Sequence, residues 1–307
     1  MNRDTDRQDL EHEIADLEQR LRDARNRLKK SHSASKDEKK CTPHLRNDPL
    51  YYPSIHSLLL LSDSALPLGS FAYSSGLESY IAHHKPLPPS TTPVSSFHRF
   101  LKLSIASVAS TTLPYVLTAY RKPEELETLD NDLDASTPCT VARRASVAQG
   151  RALLSVWERA FRETYSCSST TQSIDDAARS AVLALESFSE ALKSSVGDST
   201  TDALGPNGHL APLWGVVCLA MGIDIRQTAY VFMVNHAKAV LSAAVRASVM
   251  GPYQAQSVLA SASLQDMIAE RIEREWETEP EDAGQVVPVL DLWVGRHELL
   301  YSRIFNS

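Results

Sequence analysis

The sequence predicts an all-α fold, a single multi-helix domain preceded by a heptad-patterned helical extension. Three observations predict it. Beyond Tyr51, apolar residues recur at helical spacing over long stretches. Those stretches are punctuated by capping residues and prolines rather than by hairpin turns. No sustained period-2 alternation marks a strand. With 307 residues, 43% of them hydrophobic, the chain can supply a sizeable core.

Residues 1–47 form the extension. Leu10, Ile14, Leu17, Leu21, Ala24 and Leu28 alternate spacings of four and three and so make one apolar stripe. The run is short and carries an alanine in its seam, which leaves two readings, a short coiled coil or a solvated, fraying helix. Ser31 to Asp48 is polar and lysine-rich, a linker. The helical domain then occupies 48–307.

Its first helix is expected from about Ser54 to Ser64 and its second from Gly76 to about His84, before the cluster Pro86 to Pro89. A third begins near Pro93, with Val94, Phe97, Phe100, Leu101, Ile105 and Val108 on one side. Pro114 kinks or interrupts it and it ends near Tyr120. Pro123 to Thr137 reads as an acidic loop before a helix containing Ala142, Ala145, Leu153, Leu154 and Trp157. Residues 163–208 read as a Ser/Thr-rich insertion bracketing one helical stretch, Ile174 to Leu192. His209 to Met221 is apolar nearly all round, a central buried helix capped by Gly222. Asp224 and Gln227 make a capping-box-like start for a helix over 225–250 with Tyr230, Val234, Ala237, Leu241, Ala244 and Val245 on its packed face. Gly251-Pro252 ends that helix and begins another, to about Glu277. An acidic linker, Glu277 to Gly284, leads to an aromatic, arginine-containing tail over 285–307.

Composition excludes several classes. A net charge of -7, a pI near 5.8 and the lack of a basic stripe argue against nucleic-acid binding. Cys41, Cys139, Cys167 and Cys218 lie far apart without a Cys-x-x-Cys pair, which fits a reducing compartment. The charged N-terminus, and a longest apolar run of only Leu213 to Ile223, predict a cytoplasmic protein without a membrane span.

The segment Leu66-Pro67-Leu68-Gly69-Ser70-Phe71-Ala72-Tyr73-Ser74-Ser75-Gly76-Leu77-Glu78 is dense in backbone-special residues yet lacks a complete catalytic set. It reads as a shaped loop presenting Phe71, Tyr73 and Glu78, with Ser74 capping the next helix. Ala72-Tyr73-Ser74-Ser75-Gly76 is one substitution from a Gly-x-Ser-x-Gly elbow, but that motif requires a preceding strand in an α/β sheet. Adjacent His83 and His84 point about 100° apart on a helix, so with His98 they are candidates for a nickel or zinc site only if the next helix closes on them. No phosphate-cradling Gly-x-x-x-x-Gly-Lys motif occurs. Arg246, late in a helix of small residues, either pairs with a carboxylate or faces a partner. Glu78 is a first-turn carboxylate favoured by the helix dipole, or a partner contact. The tail, with Trp293, Leu299, Leu300, Tyr301, Ile304 and Phe305 among Arg296, His297 and Arg303, either docks on its own body or inserts into a partner; aromatic and arginine content favours the partner.

The glycine-rich segment, the run Ser242-Ala243-Ala244-Val245-Arg246, and the ending Pro288-Val289-Leu290-Asp291-Leu292 through Arg296-His297-Glu298-Leu299-Leu300-Tyr301-Ser302-Arg303-Ile304-Phe305-Asn306-Ser307 together resemble the UreF family of urease accessory proteins. The resemblance spans Leu58 to Ser307. It implies an all-α, non-catalytic factor that binds a UreD-type (UreH-type) scaffold, recruits a UreG-type GTPase and supports nickel insertion into apo-urease. It also implies a homodimer, with no stably bound cofactor and nickel handled by the complex. Pro67, Gly69, Tyr73, Ser74, Gly76, Glu78, Arg246, Arg296, His297, Arg303 and Phe305 are the candidate partner-binding residues. The sequence departs from the family after Arg246, where Met250-Gly251-Pro252-Tyr253-Gln254-Ala255-Gln256 places the glutamines later than the usual Leu-Gly-Gln. Two other readings stand beside this one, a generic dimeric helical adaptor unrelated to nickel, and a hydrolase using Ser74 with His98 or His297.

Overall fold

A computed structural model describes residues 53–166, 175–197 and 205–306; the N-terminal heptad stripe and most of both Ser/Thr-rich flanks lie outside them. In chain order the described helices are α1 (Pro53–Ser62), α2 (Leu77–His83), α3 (Pro93–Thr111), α4 (Leu113–Arg121), α5 (Leu126–Ser136) and α6 (Thr140–Val156). There follow α7 (Arg162–Ser166), α8 (Asp175–Gly197), α9 (Leu210–Ala220), α10 (Ile225–Arg246), α11 (Pro252–Leu259), α12 (Ala262–Arg274) and α13 (Pro288–Arg296). No strand occurs among the described residues, in keeping with an all-α fold.

The arrangement is built around α9. Every residue from Ala211 to Ala220 is buried, and α4, α5, α6, α8 and α10 all pack against it. Close approach to α4 requires Gly215, because a Cβ there would meet the Val116 carbonyl oxygen at 2.3 Å. The helix ends in a Schellman motif, Gly222 N donating to Leu219 O at 3.0 Å and Ile223 N to Cys218 O at 3.0 Å. Asp224 then caps α10, accepting from the Arg226 amide at 2.8 Å.

The third predicted helix divides into α3 and α4 at Thr112, with Pro114 in the first turn of α4. Thr92 and Ser95 form a reciprocal capping box ahead of it. The stretch Pro93–Arg121 is long and apolar enough to cross a bilayer, but it is mostly buried within the protein. Its apolar surface is spent on the core.

Four expectations are corrected. Pro123 to Thr137 is not a loop; a 3₁₀ turn leads into α5, whose Leu126, Leu129 and Leu133 share one buried face. Fully buried Asp130 on that helix accepts the amides of Gly208 and His209, and the buried His209 ring bridges Ser146 Oγ at 3.0 Å and Asp134 Oδ1 at 3.1 Å. Acidic residues that suggest a solvated turn thus tie α5 and α6 to the start of α9. Second, the helical stretch expected from Ile174 to Leu192 continues to Gly197, and its Ala181, Leu185 and Phe188 are buried in the common core. Third, the helix over 225–250 ends at Arg246, and Tyr230 on its predicted packed face is exposed while Met233, Ala237 and Val240 are buried. Fourth, the helix expected from Pro252 to Glu277 is two: the Ser261 hydroxyl accepts the Leu264 amide at 3.2 Å, starting α12 afresh. The break turns Leu264, Ile268 and Ile272 inward.

Gly215→Ala is expected to destabilise the domain by about 2 kcal/mol, the usual scale of overpacking. Calorimetry would show this as a lowered Tm, and an unchanged Tm would mean that α4 and α9 are not held at this separation.

Candidate functional site

The glycine-rich loop and the C-terminal tail, far apart in sequence, meet at α2. Gly76 is the N-cap of α2 with φ 85°, and a Cβ there would lie 3.0 Å from Val294 Cγ2 and 3.1 Å from Val294 N. Both the backbone angle and the seat of α13 therefore require glycine. Ser74 is buried two residues ahead of the cap, and its hydroxyl accepts the Glu78 amide at 3.3 Å. That is a helix-start role, and among the described residues no strand precedes it to make a nucleophile elbow.

Glu78 is the centre of the site. Its Oε2 accepts from His297 Nε2 at 2.9 Å and from the Phe305 amide at 3.2 Å, and its Oε1 accepts the Ile304 amide at 2.7 Å. Because a carboxylate only accepts, Nε2 is the protonated nitrogen of His297. The imidazole is fully buried, and its Nδ1 has no hydrogen-bond partner among the described residues. Three donors on one carboxylate are charge-assisted bonds, the stronger class. Asn306 N donates to Ala72 O at 2.8 Å, closing the tail onto the loop.

Arg246, the last residue of α10, is exposed and stacks on an aromatic ring of the tail. Its guanidinium carbon sits 4.5 Å from the centroid of the buried Phe305 ring, and its Nε donates to Ser242 O at 3.3 Å. Gly76, Glu78, His297, Phe305 and Arg246 thus converge. Pro67, Arg296 and Arg303 are exposed, Gly69 starts a 3₁₀ turn over Ser70–Ala72 with φ 70°, and Tyr73 is half-buried.

The tail docks on its own body. Trp293 packs edge-on against Tyr80 with centroids 4.7 Å apart and lies near Phe100 and His84. Arg144 pairs with Glu298 at 2.6 Å and holds its carboxyl below the usual carboxylate range. The other side of the same segment exposes Leu292, Leu299, Tyr301 and Ile304. Two-sidedness explains why composition left both destinations open. Ala72, Arg144 and Asn306 are not among the candidate residues: Ala72 and Asn306 lie within the quoted segments but act through backbone groups, and Arg144 is a lone surface charge without a motif.

The three histidine candidates do not converge. His83 Nδ1 lies 2.7 Å from Ser79 O and His84 Nδ1 2.8 Å from Tyr80 O, each on its own helix, while His98 meets the edge of Phe97. Among the described residues no group of three or more His, Cys, Asp or Glu is placed to hold a metal ion.

The loop and α13 border a pocket of about 490 Å3 that is open to solvent at Phe71 and Pro138 and whose walls include Trp214 and Phe232, Ser104 and Ser107, and Asn235 and His236. His236 Nε2 lies 2.8 Å from Ser104 Oγ, and burial lowers its pKa to about 4. The surface it retains faces this cavity.

A family model described as UreF matches residues 92–263. An "Uncharacterized urease accessory protein UreF-like" of Schizosaccharomyces pombe is 35% identical over 252 residues, covering 82% of this chain and 97% of that protein. "Urease accessory protein F" of Oryza sativa subsp. japonica is 30% identical over 286 residues, 89% of this chain and 95% of its own. The Arabidopsis thaliana protein of that name is 31% identical over 253 residues, 80% and 90% respectively.

The depressed pKa of His236 has a signed consequence. Its folded value, about 4, lies below the ordinary 6.5, so stability is complete above pH 6.5 and falls as pH drops toward 4, by at most about 3 kcal/mol. Urea midpoints measured from pH 7 to 4 should fall less steeply in His236→Asn than in the parent; parallel profiles would remove His236 as the cause.

Proposed function

The chain belongs to the UreF family, and from that premise we propose that it supports urease maturation by docking a UreD-type scaffold and a UreG-type GTPase, so that nickel is delivered to apo-urease. The family carries the coarser statement, a role in urease maturation. The observation that supports the finer one is the two-sided tail. Its inner side is pinned by Glu78, while Leu299, Tyr301 and Ile304 stand outward beside Arg303. A pre-ordered apolar surface with an arginine at its edge is the composition of an interface centre, and ordering it in advance lowers the entropic cost of binding.

In this reading nickel is cargo of the complex, and no cofactor is held by the chain. The protein works in the cytoplasm as a homodimer. In the same reading Arg246 acts on the GTPase, since an arginine supplied in trans can stabilise charge on a transferring phosphoryl group. Its stacking on Phe305 links that role to the tail. The burial of Ser74 and its use as acceptor of a helix amide favour this reading over the hydrolase alternative.

Co-purification with the host's UreD-type and UreG-type proteins tests the proposal. Full-length chain is expected to capture both, and a chain ending at Gly284 neither. Leu299→Asp combined with Tyr301→Ala changes only exposed side chains and should weaken capture about tenfold or more. Deleting residues 1–47 should leave capture intact. Loss of capture on that deletion would favour the generic adaptor, and absence of capture by the full chain would sink the reading.

A further inference from the structure

We propose that Ser146, His209 and Asp134 form a nucleophilic relay, and that Ser146 accepts an acyl group from small carboxylic esters entering the open pocket. The three residues come from three elements: Asp134 from α5, Ser146 from α6, and His209 from the N-cap of α9. Ser146 Oγ lies 3.0 Å from His209 Nδ1, and His209 Nε2 lies 3.1 Å from Asp134 Oδ1. A hydroxyl bonded to a base that is itself bonded to a carboxylate is recognised by geometry and roles, whatever the fold or the order in the chain.

The direction of each bond is fixed by what its partners can do. A carboxylate only accepts, so Nε2 carries the proton of the neutral imidazole and Nδ1 is left as the acceptor. Ser146 Oγ accepts the Leu210 amide at 3.3 Å, which leaves its own hydrogen to donate to Nδ1. Asp134 is oriented in turn by Arg143, whose Nη1 lies 3.3 Å from Oδ2. The His209 ring is fully buried, so bulk water does not compete with the serine for Nδ1.

The network does more than join helices, because it ends on a pocket wall. Ser146 is half-buried and, with Leu133, Ala142, Ala145, Leu210 and Trp214, lines the roughly 490 Å3 space. That space is open to solvent at Phe71 and Pro138, which gives a ligand a way in. The two alanines put no bulk beside the hydroxyl, and the leucines and the indole suit an apolar acyl group. Leu210 also opens α9, and the start of a helix favours negative charge such as develops on an ester carbonyl oxygen under attack. In the reaction Ser146 Oγ bonds to the carbonyl carbon as its proton passes to Nδ1. The bond from that carbon to the alkoxide then breaks, and the alkoxide leaves with the proton. Water repeats the sequence on the acyl-serine, releasing the acid and restoring the hydroxyl.

Covalent capture on the purified full chain tests this without any partner, so its result is independent of the proposed complex. A fluorophosphonate probe needs only the attack step, and peptide mapping by mass spectrometry identifies the serine it marks. Ser146 is expected to be marked in the native protein, unmarked in urea, and protected by prior incubation with p-nitrophenyl butyrate. That mapping uses the unaltered chain, so it holds even where a substitution unfolds the domain. Ser146→Ala should abolish the burst of p-nitrophenolate from the ester. Asp134 is a positioning residue, acting through the imidazole. Asp134→Asn, checked as folded by circular dichroism, should lower the marking rate at saturating probe about a hundredfold or more, while the half-saturating concentration stays the same. The proposal is overturned if Ser146 is unmarked in the native chain, if it is marked equally in urea, or if folded Asp134→Asn keeps the saturating rate.

Discussion

Leu210–Ala220 has no face that water would tolerate, and the rest of the domain is arranged to answer that constraint. A helix buried all round must be covered on every side, which takes several helices approaching it closely. Small side chains allow the closest approach, as at Gly215 against the Val116 carbonyl. Covering the ends is harder than covering the sides, because terminal amides and carbonyls need partners wherever they are buried. At the C-terminal end the chain meets this with the Schellman turn at Gly222. Ahead of the N-terminal end it uses a buried carboxylate, Asp130, aimed at the amides of Gly208 and His209.

A second carboxylate, partly exposed, does comparable work at the surface of the same core. Glu78 opens α2, where the helix dipole already favours negative charge, and it uses both oxygens to collect donors from the end of the chain. Asp130 joins elements within the body. Glu78 joins the body to a segment that also has an outward apolar side. Fixing the backbone of that segment places Phe305 under Arg246. The glycine-rich loop, the last turn of α10 and the tail therefore form one assembly, although 227 residues separate Glu78 from Phe305.

The relation between sequence and structure differs by element. The α9 and α10 pair was legible because all-round apolarity, Gly222 and Asp224 are local signals with local consequences. The π-helical turn Trp157–Phe161 between α6 and α7 was not. Helix α5 was misread because Glu127, Asp130, Asp132 and Asp134 look like solvated turn residues, and only the amides supplied by Asn207 to His209 make a buried Asp130 affordable. The break at Ser261 was missed because a hydroxyl in a helix-compatible stretch bends the chain only when the next residues have a core to turn toward.

In the site, the residue types were visible but their roles were not. Composition and periodicity were enough to determine an all-α domain with a buried centre, and the three family motifs were enough to place it among the UreF proteins, because helical period, capping chemistry and motif order are local or linear properties. What Glu78, His297, Phe305 and Arg246 do was decided by the tertiary structure alone. A carboxylate, an imidazole, a ring and a guanidinium each have several partners they can satisfy, and only folding brings residues 78, 246 and 297–305 within reach of one another.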